Sequence, residues 1–287
     1  MNLLLSEVGR ATLRLAESGV GSPRADAEEL AAWVHGIKRS QLHTVPDQEF
    51  DARFWEAVNR RAAREPLQHI TGHAYFRYLE LQVGPGVFVP RPETEVVAGW
   101  AIDKLREMDV AEPVVVDLCT GSGAIALAIA QEVPRSRVHA VDLDENALVW
   151  AGRNLERMPE GQRVTLHHID VTVALPALNG RVDLVISNPP YIPLSEWEYV
   201  APEAREYDPG LALWGGPDGL DVIRAIERTA SRLLRDGGWL VIEHSDHQGL
   251  EVPMLFPERA GWADPVARRD LTNRDRFVTV RKAVDLL

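Results

Sequence analysis

The sequence predicts an α/β protein: a doubly wound, mostly parallel sheet, preceded by a small N-terminal helical domain and a linking β-hairpin. Three observations carry that prediction. Apolar residues recur at helical spacing through the first third of the chain. A stretch rich in aromatic and aliphatic residues follows, punctuated by Gly84-Pro85-Gly86. From Pro113 onward, short β-branched runs alternate with helical patterns, the signature of parallel strands with crossover helices.

Each element has its own signal. Leu3, Leu4, Val8, Leu13 and Leu15 fall near helical spacing, and Gly19 to Gly21 end that helix. Ser22 offers a capping hydroxyl and Pro23 a first helical position; the helix continues through Ala25 to His35, with Leu30 and Trp33 available for the core. A third helix opens at Asp47 and runs through Phe50, Phe54, Trp55 and Val58 to Arg64, with Pro66 as its stop. Ala74 to Val83, then Gly84-Pro85-Gly86 and Val87-Phe88-Val89, read as the hairpin. A helix covers about Glu93 to Met108. Strands are expected over Val114–Val116, Val138–Val141, Val164–Ile169, Val182–Ser187 and Trp239–Glu243. Helices are expected over Ser122–Gln131, Glu145–Arg157 and Leu220–Leu234, and a long loop runs to Gly219. Two final strands, Trp262–Arg268 and Phe277–Val280, joined by a short polar stretch, predict an antiparallel edge. The expected division is residues 1–73 helical, 74–90 linking hairpin and 91–287 sheet domain.

Composition narrows the function. The chain has 287 residues, 45% of them hydrophobic, enough to bury a core without metals or disulfides. Its one cysteine, Cys119, excludes an internal disulfide and fits a reducing cytosol. There is no basic leader with a cleavage pattern and no apolar run of membrane-spanning length, so a cytoplasmic protein is expected. A formal net charge of −12 argues against broad phosphate-driven nucleic-acid binding.

Asp117-Leu118-Cys119-Thr120-Gly121-Ser122-Gly123-Ala124 lies between the first strand and its helix, where ligands of open parallel sheets bind. Gly121 and Gly123 allow close backbone approach, and Asp142, 21 residues after Gly121, can take two ribose hydroxyls or cap a helix, a role Asp144 also fits. The third glycine of a dinucleotide fingerprint is missing. Asp117 would repel phosphates but suits the cationic amino group of S-adenosylmethionine.

Asn188-Pro189-Pro190-Tyr191 follows the strand Asp183–Ser187. Two prolines lack N–H groups and hold the segment rigid. Backbone carbonyls near Pro189 and the Asn188 side-chain oxygen can accept both N–H bonds of a planar NH₂ group, and Tyr191 offers a flat face. An amide or exocyclic amine nitrogen is a weak nucleophile because its lone pair is delocalised. Accepting hydrogen bonds from its protons raises electron density on nitrogen as it meets a sulfonium methyl group. Positioning and electrostatics then suffice, without a metal or strong base. A proline-rich turn after a strand is the plain structural alternative.

Several segments together resemble the N5-glutamine methyltransferases of peptide chain release factors. They are Pro66 to Gly72, Phe88-Val89-Pro90-Arg91-Pro92-Glu93-Thr94-Glu95, Asp117 to Ile125, Ser187 to Ile192, Gly215 to Leu220, and Asp270 to Arg276. The resemblance implies a seven-stranded class I methyltransferase sheet. It implies methyl transfer from S-adenosylmethionine to the glutamine of a release-factor Gly-Gly-Gln loop, and a helical domain that helps to dock the release factor. The candidate catalytic residues are Asn188, Pro189, Pro190 and Tyr191. The candidate cofactor residues are Asp117, Cys119, Thr120, Gly121, Ser122, Gly123, Asp142, Leu143, Asp170, Val171 and Asn188. Three departures stand out: Cys119 where the family usually has glycine, Asp208-Pro209 for Glu-Pro, and Glu243-His244-Ser245 for Glu-Ile-Gly.

Other polar residues carry less. Glu93 is either a helix-start carboxylate or a cleft group. His69 and His73 lack companion ligands at metal spacing and are expected at the surface or in the hairpin. His167 and His168 point to opposite strand faces. Arg53, Arg60, Arg61 and Arg64 read as a solvated helix face. No metal is expected, and the chain is expected to act as a monomer. Three rival functions share the features: an adenine-N6 nucleic-acid methyltransferase, a ribosomal-protein glutamine methyltransferase, and a non-catalytic cofactor-binding adaptor.

Overall fold

The computed structural model describes residues 3–45 and 51–284. The chain divides into two compact units, Met1–His73 with Ala201–Tyr207, and Ala74–Val200 with Asp208–Leu287.

The first unit is helical. Its helices are Leu3–Glu17, Pro23–His35, Ala52–Ala62, Leu67–Thr71 and Pro202–Tyr207. Leu4, Val8, Ala11 and Leu15, spaced by three and four, form a buried stripe against Ala27, Leu30 and Ala31 and against Phe54, Ala57 and Val58. Leu13, read as part of the helical apolar spacing, and Trp33, read as available for the core, fall off these stripes and are 67% and 38% exposed. Asp51 caps the third helix by accepting from the Arg53 amide at 2.9 Å. The expected opening at Asp47 to Phe50 lies outside the described residues. That helix also stops at Ala62, because Arg64 turns the chain with φ +68°. A short helix then starts after Pro66, and its His69 is buried rather than superficial.

The arginine run also departs from expectation. Arg61 is buried, donating to Asp26 Oδ2 at 2.7 Å and to Glu203 Oε1 at 2.9 Å. Arg64 holds the other Glu203 oxygen at 2.6 Å. Burial pushes the Glu203 carboxyl up, but the two arginines outweigh it and hold it down at about 2. Of the four, Arg53 and Arg60 keep the solvated character expected, pairing with Asp51 and Glu65.

The second unit begins with a hairpin whose strands are β1 (His73–Phe76) and β2 (Leu79–Gln82). Its turn is Arg77-Tyr78, with Arg77 at φ +52°, and not Gly84-Pro85-Gly86. Val87 and Val89 form no strand; they pack with Val83, Ala147 and Trp150, whose indole N–H donates to the Pro85 carbonyl at 3.2 Å. The sheet contains β3 (Val114–Leu118), β4 (Arg137–Asp142), β5 (Val164–His168), β6 (Val182–Ser187), β7 (Leu234–Glu243), β8 (Trp262–Arg269) and β9 (Asp275–Lys282). Their order is β5-β4-β3-β6-β7-β9-β8. The pairs from β5 to β7 are parallel, and β9 runs antiparallel to both β7 and β8. The seven-stranded class I sheet is therefore present, with the expected antiparallel edge.

Both faces of the sheet are covered, which is why β3 and β6 read as continuous apolar runs. Helices Pro92–Glu107 and Ala124–Glu132 pack on one face, and Asp221–Leu233 on the other. Ala124–Glu132 is buried along Ala124–Ala130, so it is apolar all round.

Removing Arg61 from this network takes the arginine from Asp26 and leaves Glu203 with Arg64. Arg61→Ala should lower unfolding stability by about 3 kcal/mol in chemical denaturation, the low end for a broken buried pair. A loss below roughly 1 kcal/mol would mean that the network behaves as a surface pair.

Candidate active site

Chain order reverses between β3 and β6, so a crevice opens beyond their carboxyl ends. The loop after β3 is tied to β4. Thr120 N–H donates to the Val141 carbonyl at 3.0 Å, and Gly121 N–H to Asp142 Oδ2 at 2.8 Å. Gly121 and Gly123 adopt φ of +56° and +82°, the left-handed region that admits glycine freely. Cys119 sits there too, at φ +61°, a conformation that strains a residue with a Cβ. Glycine, which the resemblance leads one to expect at this point, would take the same conformation without that strain. Burial raises the Cys119 thiol pKa far above its ordinary value, which keeps it protonated and unreactive.

Asp144, not Asp142, caps the helix Glu145–Arg157, accepting from Asn146 N–H at 2.9 Å. Asp142 instead receives the amides of Gly121 and Asp144, and each carboxylate oxygen keeps a further lone pair. Burial raises its pKa against those amides. Ile169 N–H binds the Asp142 carbonyl at 3.1 Å, drawing in the turn at Asp170, which accepts from Thr172 N–H at 2.8 Å and from its hydroxyl at 2.6 Å. Cys119 and Val171 pack against one apolar cluster, and Leu143 is exposed beside it in sequence to Asp142. The residues expected from sequence thus gather at the ends of β3, β4 and β5.

Asp117 tests the fit of a cofactor. It is fully buried; Oδ2 takes the Thr120 hydroxyl at 2.6 Å, while Oδ1 has no hydrogen-bond partner among the described residues. Burial pushes this carboxyl up to about 7, assisted by the Asp142 charge and opposed by the Thr120 hydroxyl and, more weakly, by the Ala126 amide. A buried acceptor without a donor costs about 1–3 kcal/mol. A cationic amino group supplies both the donor and the charge. Asp117 with Asp142 therefore fits the amino and ribose groups of S-adenosylmethionine.

The acceptor motif lies next to this loop. Ser187 donates to the Leu118 carbonyl at 2.6 Å and locks β6 to β3. Asn188 Nδ2 donates to Thr94 Oγ1 at 3.0 Å, and the Tyr191 hydroxyl to Glu243 Oε1 at 3.1 Å. Gln248 occupies the Tyr191 carbonyl at 3.0 Å. Gly215 N–H donates to the Ile192 carbonyl at 2.9 Å, and a Cβ at Gly215 would lie 2.7 Å from the Pro190 carbonyl oxygen. Only glycine permits that approach. With the Pro190 and Tyr191 carbonyls engaged or crowded, Asn188 and Pro189 are the candidate acceptors of this motif.

Two other resembling segments brace this motif. Arg91 stacks over Phe88 at 4.8 Å and pairs with Asp208 Oδ2 at 2.6 Å. Burial lifts Asp208 to about 6 although Arg91 lowers it. Asp270 organises the β8–β9 turn through Thr272 and Arg274 amides and holds Arg276 Nε at 3.1 Å. Arg276 acts on Glu243, as does Glu93 with the opposite sign. His244, the residue replacing isoleucine, is buried, and burial lowers its pKa so that it stays neutral. Sequence reasoning missed Thr94, Glu243, Gln248 and Arg276 as parts of the site. Three of them lay within resembling or departing segments, but no spacing rule joins them. His167 pairs with His139 across β4 and β5 at 3.0 Å, on the face opposite to His168. Among the described residues no group of three or more His, Cys, Asp or Glu is placed to hold a metal.

Comparison with known proteins gives consistent matches. The family model described as PrmC N-terminal domain matches residues 8–72, and that described as Methyltransferase small domain matches residues 85–201. A release factor glutamine methyltransferase of Streptomyces coelicolor is 69% identical, covering 99% of this chain and 100% of that protein. One from Mycolicibacterium smegmatis is 47% identical, covering 98% and 99%. A Streptomyces pristinaespiralis protein named 4-amino-L-phenylalanine/4-methylamino-L-phenylalanine methyltransferase is 41% identical, covering 92% and 91%.

Asp117 generates a pH prediction. Its pKa is raised, so in the free protein its stabilising contribution is complete at low pH and is lost as pH rises through about 7. A bound ammonium favours the ionised form. S-adenosylmethionine affinity should therefore rise as pH increases through about 7 and then level off, as followed by calorimetry. Asp117→Asn should weaken binding by about 1–3 kcal/mol and flatten this dependence. An affinity that instead falls over that range would contradict the assignment.

Proposed function

Because the chain belongs to the release factor glutamine methyltransferase family, we infer that it methylates the side-chain amide nitrogen of the glutamine in the Gly-Gly-Gln motif of peptide chain release factors. The observation that carries this reading is the extent of the likeness: 99% of the chain matches a relative of that name, not merely the sheet common to many methyltransferases.

The geometry fits the reaction. S-adenosylmethionine, when bound, supplies an electrophilic methyl group on a sulfonium. The chain's own residues must orient a weak nucleophile toward it. Asn188 Oδ1 and the Pro189 carbonyl accept the two N–H bonds of the glutamine amide and raise the electron density on its nitrogen. Pro189 and Pro190 fix those acceptors in advance, so little reorganisation accompanies the reaction. Tyr191, anchored through its hydroxyl on Glu243, supports the flat amide. The amide proton leaves late, and no strong base is required.

In this reading residues 1–73 dock the release factor, 74–90 link, and 91–287 carry catalysis. The chain works as a cytoplasmic monomer without contacting nucleic acid directly. The net charge of −12 supports the last point, and no described helix is long and apolar enough to cross a membrane. The arylamine acceptor named for the 41% identical relative is also a planar nitrogen, so the acceptor's identity is what a test must fix.

Incubation with methyl-labelled S-adenosylmethionine and a release factor should place one methyl group on the Gly-Gly-Gln glutamine, and replacing that glutamine should abolish labelling. Label found on adenine, or only on a free arylamine, would overturn the reading. Asn188→Ala should lower turnover about 10²–10³-fold with cofactor affinity little altered, the loss typical of one preorganised polar contact. Near-normal turnover in that variant would remove Asn188 from its proposed role.

A further inference from the structure

Asn188 can serve the reaction only if its side-chain oxygen, not its nitrogen, faces the acceptor amide. The two ends of a carboxamide have nearly the same shape, so something in the surroundings must decide between them. We propose that Thr94 is a positioning residue that sets the orientation of the Asn188 side chain, and that the Glu243 carboxylate in turn sets the Thr94 hydroxyl. The proposal rests on the glutamine-methylation reading above and deepens it.

Thr94 lies in the first turn of the helix Pro92–Glu107, is 4% exposed, and places Oγ1 3.0 Å from Asn188 Nδ2. The Glu243 carboxyl, which accepts from the Tyr191 hydroxyl at 3.1 Å, is also held down by the Thr94 hydroxyl acting as a donor. A hydroxyl has one proton, and an ionised carboxylate can only accept. The Thr94 proton is therefore drawn to Glu243, and the hydroxyl presents only lone pairs to Asn188. Those lone pairs admit the NH₂ end and repel the oxygen end, so Oδ1 turns to the acceptor. The reversed amide would set oxygen against oxygen at Thr94 and NH₂ against NH₂ at the substrate. One buried carboxylate thus fixes the polarity of the acceptor site through two links.

The groups around Glu243 define when this holds. Burial pushes the carboxyl up to about 7; the Thr94 hydroxyl, the Arg276 guanidinium from β9 and the Tyr191 hydroxyl pull it down, and Glu93 pushes it up. His244, next to it on β7, is kept neutral by burial. When Glu243 takes a proton it can donate to Thr94, the hydroxyl is released to donate to Asn188, and the selection is lost. Turnover should therefore carry an acid limb set by Glu243.

The test compares Thr94→Ser, Thr94→Val and Glu243→Gln with the wild type in turnover, acceptor KM, cofactor affinity and pH profile. Thr94→Val should lower kcat at least about tenfold, the value of one hydrogen bond of about 1.4 kcal/mol, with cofactor affinity moved much less. Thr94→Ser should recover most of that loss, and Glu243→Gln should remove the acid limb. Equal damage in the serine and valine variants, or wild-type kcat in Thr94→Val, would overturn the proposal. A second readout needs no acceptor: the side-chain NH₂ resonances of Asn188, identified by their loss in Asn188→Asp. In the free wild-type enzyme these should shift with pH as Glu243 titrates, and the shift should vanish in Glu243→Gln. If the wild type methylates no release factor, the functional reading fails while this titration still decides the positioning role. A pH-independent Asn188 resonance in the wild type would defeat it.

Discussion

Carboxyl groups held out of water at the carboxyl ends of β3 and β7 are the constraint on which the site depends. Asp117 and Glu243 are fully buried, and each keeps one oxygen without a hydrogen-bond partner among the described residues. Both are pushed up to about 7, chiefly by burial. Such groups disfavour the free protein and are retained where something else completes them. On the β3 side we propose that the missing partner is the cationic amino group of the cofactor, which brings the N–H donors that Asp117 lacks. On the β7 side the carboxyl holds the Tyr191 hydroxyl and, in the positioning role proposed above, sets the Thr94 hydroxyl against Asn188.

Rigidity around these groups comes from backbone contacts rather than from large side chains. Ser187 pins β6 to β3, and the stretch from Leu213 to Gly215 pairs with Ile192 behind the two prolines. Arg91 fixes the far part of the same loop through Asp208. A nucleophile as weak as an amide nitrogen gains most from acceptors that do not move, so the wall of tight turns is part of the chemistry. The segments that resembled the family (Phe88 to Glu95, Gly215 to Leu220, Asp270 to Arg276) prove to be the braces of one site.

Much of this was legible in the sequence because period and punctuation reflect local physics. β6 and the helix Glu145–Arg157 were read to the residue, since buried strands and capped amphipathic helices leave clear patterns. The hairpin turn was misplaced because Arg77 takes a left-handed turn conformation without glycine, while the conspicuous Gly84-Pro85-Gly86 serves a tryptophan instead. The arginine run was misread because Arg61 finds Glu203 across 142 residues of chain, and charge spacing on a helix says nothing of so distant a partner. For the same reason the motif Asn188 to Tyr191 was plain, but its link through Thr94 to Glu243 was not. Three segments far apart in sequence meet there only in the folded sheet.

The most direct test is a carbon-13 NMR titration of the Asp117 side-chain carboxyl, assigned by comparison with Asp117→Asn. The account predicts that it titrates near 7 in the free protein and remains ionised down to clearly lower pH once S-adenosylmethionine is bound. A free-protein value near the ordinary aspartate range, or no downward shift on cofactor binding, would contradict the claim that a buried, incomplete carboxyl organises this site.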